Sequence, residues 1–446
     1  MPNRRIRFND YEVDFARREL RKSGVRIGLE HKPFRVLELL LRHPGELVTR
    51  EELVAFLWPD SHVSFERGLN TAVNSLRQAL GESSRDYHFI ETRPGLGYRF
   101  CAAVEEIAEA NSNRDASRNS GKVSAAYEDC LKGRYFLDRM CEEEAYRAIA
   151  FFKSATADRT CASLAHAGIA DAYCLLALLG SAPPSNLICH ARSSAEMALK
   201  NDPDLPDAHV SFGRVKMIFD WDWNSAQNAG SHALALDTDS VAAQTFQASM
   251  LCHLGKYEEA KQICAKLLIA DPLSFPLNIQ LAACLYGVRD FEATADQCWK
   301  ILTLAPRFAP AQLILALAYE QLSMYEEAQV EFQNAESCVG FKAAATSGMG
   351  HLFGLSGRHA EAERALTGLT KLSEDCHVSP YRYAVVRAGL EQDDQALSFL
   401  EESLEQHDPA LLLLNADARF DGMRQQERFQ MILRSVSAGS LNHTAC

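Results

Sequence analysis

The stretch from Ile90 to Phe100, IETRPGLGYRF, places two glycines one residue apart, just before a Tyr-Arg-Phe triplet. Closely spaced glycines can hold a phosphate against backbone N–H groups, so this stretch is a candidate nucleotide loop. A Walker loop needs Gly-Lys-Ser or Gly-Lys-Thr before a helix, and a dinucleotide loop needs GxGxxG between a strand and a helix. Neither pattern is present, and Tyr-Arg-Phe favours a strand. We therefore predict that the glycines turn a β-hairpin.

Cysteine and histidine side chains are the other candidates for chemistry. The chain has 13 cysteines and 14 histidines, but it has no Cys-x-x-Cys pair, no HExxH motif and no GxSxG motif. The sequence therefore lacks metal ligands and nucleophiles at the spacings that these motifs require. We predict that the cysteines pack as small apolar residues, and that the protein has no metal, no cofactor and no enzymatic activity.

Charge is unevenly distributed along the chain. The net charge is −13, yet residues 1–106 carry 17 Lys and Arg against 16 Asp and Glu. Nearly all the acidity lies downstream, so a nucleic-acid site belongs in the first segment and must rely on local basic clusters. Uncharged apolar runs fall short of the roughly 18 residues of a membrane span, and the first thirty residues carry charges throughout. We predict a cytoplasmic protein without a membrane segment.

The elements around the opening stretch form an ordered set. Apolar and polar residues alternate over Ile6–Phe15, with a turn at Asn9-Asp10, and short strands follow at 19–22 and 25–29. This alternation predicts a small antiparallel sheet. Three helices and the hairpin come next, so the predicted order is sheet, three helices, hairpin.

Each of the three helices has its own signal. Pro33 begins the first, and Thr49-Arg50-Glu51-Glu52 is a capping box for the second. The third, about Gly68–Leu80, carries an apolar stripe at helical spacing. Its other face is polar and free of acids, so no carboxylate there would repel DNA phosphates. That polar face consists of Asn70, Thr71, Asn74, Ser75 and Gln78.

Residues 6–102 resemble the OmpR/PhoB-type winged-helix DNA-binding domain. The capping box with Leu53 and the later Trp58 is similar to that family's second helix, and Arg67–Leu80 is similar to its recognition helix. Thr92–Phe100 is similar to its wing, with Gly-Tyr-Arg-Phe almost letter for letter. The resemblance implies a helix in the major groove and a basic hairpin beside it. The implied DNA-binding residues are Arg50, Trp58, Arg67, Thr71, Asn74, Ser75, Arg77, Gln78, Thr92, Arg93, Tyr98 and Arg99.

Within this set the resemblance divides the roles. Trp58, Arg67, Arg77, Thr92 and Tyr98 would touch phosphates and sugars, and the recognition-helix residues Thr71, Asn74, Ser75 and Gln78 would face bases. Asn and Gln suit adenine, and the methyl group of Thr suits that of thymine.

Several positions depart from the family pattern. Family members often carry basic residues at the places of Asn74, Ser75 and Gln78, and Pro94 stands at the wing-tip arginine position, so minor-groove contact would fall to Arg93. With fewer charges, one copy should bind DNA modestly and with a shallow salt dependence. We expect tight binding to need two copies on repeated half-sites, which makes a homodimer a candidate assembly.

The rest of the chain is repetitive. Residues 107–124 read as a flexible linker, poor in apolar residues. Beyond it, small or aromatic residues recur every 34 residues from about Val241 to Asp408. This period resembles the tetratricopeptide repeat (TPR), with five units in strict phase. Weaker units upstream raise the total to seven to eight helix pairs within 125–440, and a polar helix near Asp421–Ser437 is predicted to cap the stack.

The first helices of such an array form a concave face that binds partners. This face lacks the Lys/Asn clamp with which some TPR domains hold a C-terminal carboxylate, so a peptide, a protein segment or self-association suits it better. The residues predicted to face a partner are Thr245, Ser249, His253, Tyr286, Gln321, His351 and Arg382, with Ile279, Leu313, Leu317 and Ser347 beside them.

The predicted fold is mainly α: a small α+β winged helix-turn-helix domain at 1–106, then an all-α TPR solenoid. We expect a bacterial, sequence-specific transcription regulator of the one-component type, since no receiver domain precedes Ile6. Its partners would be double-stranded DNA and a protein or peptide on the array. The alternative is a TPR scaffold whose winged helix mediates protein–protein contacts.

Overall fold

In the computed structural model, the 446-residue chain forms two compact units, Met1–Val123 and Ser124–Cys446. Most of the predicted linker, residues 107–123, lies outside the described residues. The structure describes residues 5–15, 19–22, 25–29, 31–57, 66–82, 88–93, 96–102, 104–106, 124–338 and 340–438.

The N-terminal unit begins with the predicted antiparallel sheet. Ile6, Phe8, Tyr11 and Val13 alternate with polar residues and are buried, which places one face of the sheet on the core. Asn9, with φ 46°, turns the first strand into the second. The strands are β1 Arg5–Phe8, β2 Tyr11–Asp14, β3 Glu19–Lys22, β4 Val25–Ile27 and, later in the chain, β8 Glu105–Glu106, in the order β4-β3-β2-β1-β8.

Three helices and a second sheet complete this unit, in the predicted order. The capping box is formed, because the backbone N–H of Thr49 donates to Glu52 Oε2 at 2.8 Å and that of Glu52 donates to Thr49 Oγ1 at 3.2 Å. The elements are α1 His31–Arg42, β5 Leu47–Thr49, α2 Arg50–Leu57, α3 Glu66–Leu80, β6 Ile90–Arg93 and β7 Gly97–Phe100, with sheet order β5-β7-β6.

The hairpin of β6 and β7 is confirmed, but Gly97 has a different role from the one predicted. It is the first residue of β7, where it pairs with Arg93 on one side and Thr49 on the other. A Cβ on Gly97 would lie 2.0 Å from the carbonyl oxygen of Val48. Gly97 is therefore required because the β5 backbone passes too close for any side chain.

The C-terminal unit is an array of antiparallel helix pairs, eight of them within residues 124–338 and 340–438. The period of 34 residues is confirmed, and the small residues Ala260, Thr294, Ala328, Ala362 and Ala396 are fully buried. The pairs are α4 Ala125–Leu137 with α5 Glu142–Ala155, α6 Ala162–Leu179 with α7 Pro184–Asn201, α8 Pro206–Ile218 with α9 Trp223–Leu236, α10 Val241–His253 with α11 Tyr257–Ala270, α12 Phe275–Gly287 with α13 Phe291–Leu304, α14 Ala309–Gln321 with α15 Tyr325–Glu336, α16 Lys342–Leu355 with α17 His359–Leu372, and α18 Pro380–Gly389 with α19 Asp393–Glu405.

The array curls until its first pair touches later ones. Met140, in the turn between α4 and α5, packs on the cluster of Ile301, Phe308 and Leu315. In the same turn, Cys141 packs on the cluster that contains Phe341. The start of the array therefore closes against the turns around α14 and α15.

The segment after α19 differs from the prediction of a capping helix that begins near Asp421. The chain forms two short 3-10 helices, Pro409–Leu413 and Ala418–Met423, before α20 at Glu427–Ala438. We call residues 407–438 the C-terminal strap. Its apolar side chains share one buried cluster with residues of α6, α8 and α10, so the strap returns to the inner helices of much earlier pairs.

One helix among the described residues is long and apolar enough to cross a membrane. It is α6, Ala162–Leu179, with a mean hydropathy of 1.5 and 72% of its residues buried. It packs between α5, α7 and α8. Its burial is typical of a core helix of the array.

Candidate nucleic-acid interface

The exposed face of α3 is the centre of the candidate interface. Leu69, Val73, Leu76 and Leu80 form the buried stripe that fixes the helix on the core. The side chains of Asn70, Thr71, Asn74 and Gln78 are exposed on the other side, and Ser75 is half-buried. From Leu69 to Leu80 this surface presents amides and hydroxyls and neither acids nor bases, so it is neutral and rich in hydrogen-bonding groups.

A hydrogen-bonded group ties α3 to α2 and to the hairpin. The guanidinium of Arg50 donates to Tyr98 Oη at 3.0 Å and to Asn70 Oδ1 at 2.9 Å, and the Tyr98 hydroxyl donates to Asn70 Oδ1 at 3.1 Å. Tyr98 is only 4% exposed. Asn70 was predicted to lie on the polar face but not to act. Asn70, on α3, accepts hydrogen bonds from Arg50 on α2 and from Tyr98 on β7, and so joins three elements. The sequence could not show this role, because Arg50 and Tyr98 lie 20 and 28 residues away.

Arg77 lies inside the unit rather than on its surface. It is 4% exposed, and its guanidinium donates to the carbonyl oxygen of Ile90 at 2.9 Å and to Thr92 Oγ1 at 2.7 Å. Its Nε also lies 3.9 Å from Glu82 Oε1. The structure therefore corrects the implied phosphate contact, because this cation is already used to dock α3 on the hairpin.

Glu82 completes this buried connection. Its carboxylate accepts from the backbone N–H groups of His88, Phe89 and Ile90 at 2.8, 2.6 and 3.0 Å. Three donors on one carboxylate fix the entry of the chain into β6. The hairpin therefore has a set position relative to α3, which a two-element DNA-binding surface needs.

The two arginines of the hairpin share one acid. Arg93 Nε lies 3.0 Å from Glu91 Oε1, and Arg99 Nε donates to Glu91 Oε2 at 2.8 Å. Glu91 itself is buried. A phosphate that approaches either arginine must compete with this carboxylate, so the hairpin presents less free positive charge than its sequence indicates.

All the predicted DNA contacts except that of Arg77 stay predictions. Trp58 and the side chain of Arg67 lie outside the described residues, as does Pro94 at the wing-tip position. Thr92 is half-buried, and its hydroxyl is engaged by Arg77.

The predicted partner-binding face of the array is partly corrected. Tyr286 is 5% exposed and His351 2% exposed, with His351 Nδ1 3.1 Å from the buried Glu320 Oε1. His253 donates through Nδ1 to the carbonyl oxygen of Leu412, at 3.0 Å. Burial raises the pKa of Tyr286 well above its usual value. These side chains face the strap or the interior instead of a free groove.

The other members of the predicted face are partly accessible. Thr245, Ser249, Gln321 and Arg382 are half-buried. Burial lowers the pKa of Arg382, as does the neighbouring charge of Arg419 on the strap. Arg382 is thus also close to the strap.

Comparisons with known proteins identify relatives of the N-terminal unit. Residues 24–100 match the family described as transcriptional regulatory protein, C terminal. The KDP operon transcriptional regulatory protein KdpE of Escherichia coli is 33% identical over 100 residues, which are 22% of this chain and 44% of that protein. The chain therefore spans less than half the length of this relative.

Two solved structures are similar to separate parts of the chain. The DNA-binding domain of RstA from Klebsiella pneumoniae, in complex with the RstA box, covers 22% of this chain and 96% of its own, at 25% identity and a TM-score of 0.21. A tetratricopeptide repeat protein from Parabacteroides merdae covers 57% of this chain and 93% of its own, at 15% identity and a TM-score of 0.40.

Proposed function

We propose that this chain, whose N-terminal unit is an OmpR/PhoB-type DNA-binding domain followed by TPR-like helical repeats, is a cytoplasmic, sequence-specific regulator of transcription in bacteria. The observation that carries the proposal is the exposed, acid-free face of α3, held beside a hairpin by the group of Arg50, Asn70 and Tyr98. An α-helix with such a face fits the major groove, where base edges carry a distinct donor and acceptor pattern.

Base recognition would come from the amides and hydroxyls of α3. Asn74 and Gln78 can each donate to and accept from an adenine, and the methyl group of Thr71 can contact the methyl group of thymine. Ser75, half-buried beside them, would add a hydroxyl contact. Sites rich in A·T pairs are therefore the expected targets.

Backbone contacts would come from the rim of this surface. Arg50 is half-buried at the start of α2, and Arg93 and Arg99 lie on the hairpin, with Trp58, Arg67 and Thr92 added by the resemblance. Because Glu91 engages both hairpin arginines, few phosphates would be neutralised by one copy. We expect a shallow salt dependence and tight binding only when two copies occupy repeated half-sites.

The direct test measures the affinity of the full chain for genomic duplex fragments at two salt concentrations. An inert polyanion of equal charge is the comparison. The proposal predicts a preference for particular duplexes that persists at the higher salt, since base contacts are less sensitive to salt than phosphate contacts. Equal affinity for the duplexes and for the polyanion would contradict it.

The neutral face of α3 also favours a second candidate function, a scaffold in which the winged unit binds protein. Asn74→Ala separates the two candidates. A regulator loses its preference among duplexes, whereas a scaffold keeps its protein partner and shows no such preference to lose. Arg77 is unsuitable for this test, because its buried guanidinium docks α3 on the hairpin.

The repeat unit would serve as the protein-interaction and assembly module. Thr245, Ser249 and Gln321 remain half-exposed among the residues predicted for partner contact. A partner on the array could set the spacing of two winged units and so decide which half-sites are bound together.

A further inference from the structure

The strap is held by residues of distant pairs as well as by the pair from which it emerges. Three side chains of pairs three to five donate hydrogen bonds to it, and three of the four acceptors are main-chain carbonyl oxygens. The bonds run from Trp223 Nε1 to Val436 O at 2.7 Å, from His253 Nδ1 to Leu412 O at 3.0 Å, and from Arg289 to Ala416 O and, at 2.6 Å, to Asp421 Oδ1. We call this set of donors, with the helices α8, α10 and α12 around it, the strap groove.

One position of the repeat recurs along the strap groove. It follows the first helix of each pair from the third to the eighth and has a left-handed backbone, which L side chains rarely adopt. The residues of this row, 34 apart, are Trp221 at φ 49°, Gly255 at 77°, Arg289 at 65°, Ser323 at 60°, Gly357 at 72° and Glu391 at 56°. Ser323 and Glu391 adopt the same left-handed backbone at this position. The conformation is therefore a property of the repeat and not of one type of side chain.

The first three members of the row, Trp221, Gly255 and Arg289, contact the strap. The Trp221 ring stacks on the His407 ring, with centroids 4.5 Å apart. A Cβ on Gly255 would lie 2.7 Å from Asn415 Nδ2, so the glycine leaves room for that amide. Arg289 forms the two hydrogen bonds already described. The strap therefore lies along the first three members of this row.

The link between the strap and its own pair is short. Gln406 alone separates α19 from the strap, and the second residue after α19, His407, has a left-handed backbone at φ 50°. The bonds in the strap groove connect residues 127 to 213 positions apart in the sequence. Contacts so remote in sequence form equally well when the strap belongs to another copy, which is the basis of domain swapping.

We propose that the strap groove binds the strap of a second copy of this chain, so that two copies pair by exchanging straps. The occupant seated in the groove is a segment of this same chain, and the donors recognise its backbone and Asp421. The strained turn at His407 provides the hinge. The pair would carry two winged units, which suits the proposed function, although the exchange itself does not depend on DNA.

A charge exchange between Arg289 and Asp421 tests this pairing. Both side chains are partly exposed, at 30% and 44%, so reversing either charge should leave the repeats folded. Arg289→Asp puts two carboxylates together when a copy uses its own strap, or that of an identical copy. Asp421→Arg likewise puts two guanidinium groups together. In a mixture of the two variants, a dimer with one copy of each has opposite charges at both groove–strap contacts. The aspartate introduced at 289 meets the arginine introduced at 421, and the unchanged Arg289 meets the unchanged Asp421.

The measurement is the mass of the assembly by light scattering, without DNA, for the full-length variants. Wild type is expected to form a dimer in a concentration-dependent way. Each single variant should lose that dimer, and the mixture should regain a species of twice the monomer mass that contains one copy of each. The double variant Arg289→Asp with Asp421→Arg is the matched control and should regain the dimer, though more weakly than wild type, because the new arginine also lies beside Arg424, the second partner of Asp421. Circular dichroism confirms that each variant keeps its helical content.

Three outcomes would overturn the proposal: a wild type that stays monomeric at every concentration, single variants that dimerise as wild type does, or a mixture that stays monomeric. If a single variant loses helical content, Arg289→Gln with Asp421→Asn replaces the pair, and the loss of the dimer in each is then the deciding result. Because no DNA is present, failure here is distinguishable from failure of the proposed DNA binding.

Discussion

Helix α3 and the inner helices of the repeats are both predicted binding surfaces, but they differ in how far the rest of the chain covers them. The polar face of α3 stays exposed and free of charge from Leu69 to Leu80. The inner helices α6, α8 and α10 share a buried cluster with the strap, and Tyr286 and His351 on later inner helices are buried as well. A periodic pattern therefore identifies which face a helix turns outward from its own pair, but not what else in the chain covers that face.

The largest expected effect comes from removing the anchor of the strap. Phe420 is fully buried between Tyr381 and Phe429, and Phe420→Ala should cost the repeat unit about 3–5 kcal/mol of unfolding free energy. Calorimetry of the full chain would resolve the two units. Met431→Ala, an exposed strap residue, is the control and should change little. An unchanged repeat unit in Phe420→Ala would mean that the strap contributes nothing to the fold.

The next largest effect falls on the winged unit. Gly97→Ala would place a Cβ 2.0 Å from the Val48 carbonyl oxygen, so β5 and β7 must separate, at a cost of about 2–3 kcal/mol. DNA binding should fall with the hairpin, while the repeat unit keeps its transition. Gly28→Ala is the matched control, since no atom lies within 4 Å of its added Cβ. Equal stability of the two variants would refute the close approach at Gly97.

An intermediate effect is expected from the pH dependence of the strap. Burial raises the pKa of Asp417, but the charge and hydrogen bonds of Arg419, with the Tyr381 hydroxyl, outweigh it and lower the pKa to about 2. A carboxyl with a lowered folded pKa stabilises the fold above about pH 4, and this is lost as the pH falls toward about 2. Wild type should lose about 2 kcal/mol more than Asp417→Asn over that range.

Urea unfolding at several pH values measures this difference. The exposed residue Asp204 offers a control, since Asp204→Asn should keep the wild-type pH dependence. A parallel slope in Asp417→Asn and wild type would show that the Asp417–Arg419 pair does not set the acid stability of the strap.

The smallest effect sharpens the description of the α3 surface. Glu91→Gln removes the carboxylate shared by Arg93 and Arg99, so both arginines become available to phosphate. DNA affinity should rise by about twofold to fivefold, because both arginines are partly exposed and each ion pair with phosphate is screened by water, and its salt dependence should steepen. Glu46→Gln, an exposed acid of the same unit, should leave both unchanged. Weaker binding by Glu91→Gln in a folded unit would place the hairpin arginines away from DNA.

Local patterns in the sequence predicted most of the fold. The Thr49–Glu52 capping box, the turn at Asn9 and the period of 34 residues each depend on neighbours within one element or one pair, and each is confirmed. The burial of Arg77 was missed because its acceptors, Ile90 and Thr92, are 13 and 15 residues away on another element.

The strap was missed for the same reason on a larger scale. Its partners Trp223 and Arg289 lie 213 and 127 residues from their acceptors, and a segment with two 3-10 helices carries no helical period to mark it. Phe429 follows an arginine and was assigned to the predicted polar helix near Asp421–Ser437, and Phe420 lies just before that helix. Neither residue carries a local signal that it packs on the inner helices of the array.

The most direct test of the central claim is the affinity of wild type and of Asn74→Ala for a duplex selected by the full chain from genomic fragments. Asn74 is exposed on α3, so its loss should leave the winged unit folded and remove an amide contact with one base pair. We predict that Asn74→Ala weakens binding to that duplex by about 1–3 kcal/mol and relaxes the choice of base at one position. A folded Asn74→Ala chain with wild-type affinity and wild-type base preference would contradict the assignment of α3 as the helix that reads DNA.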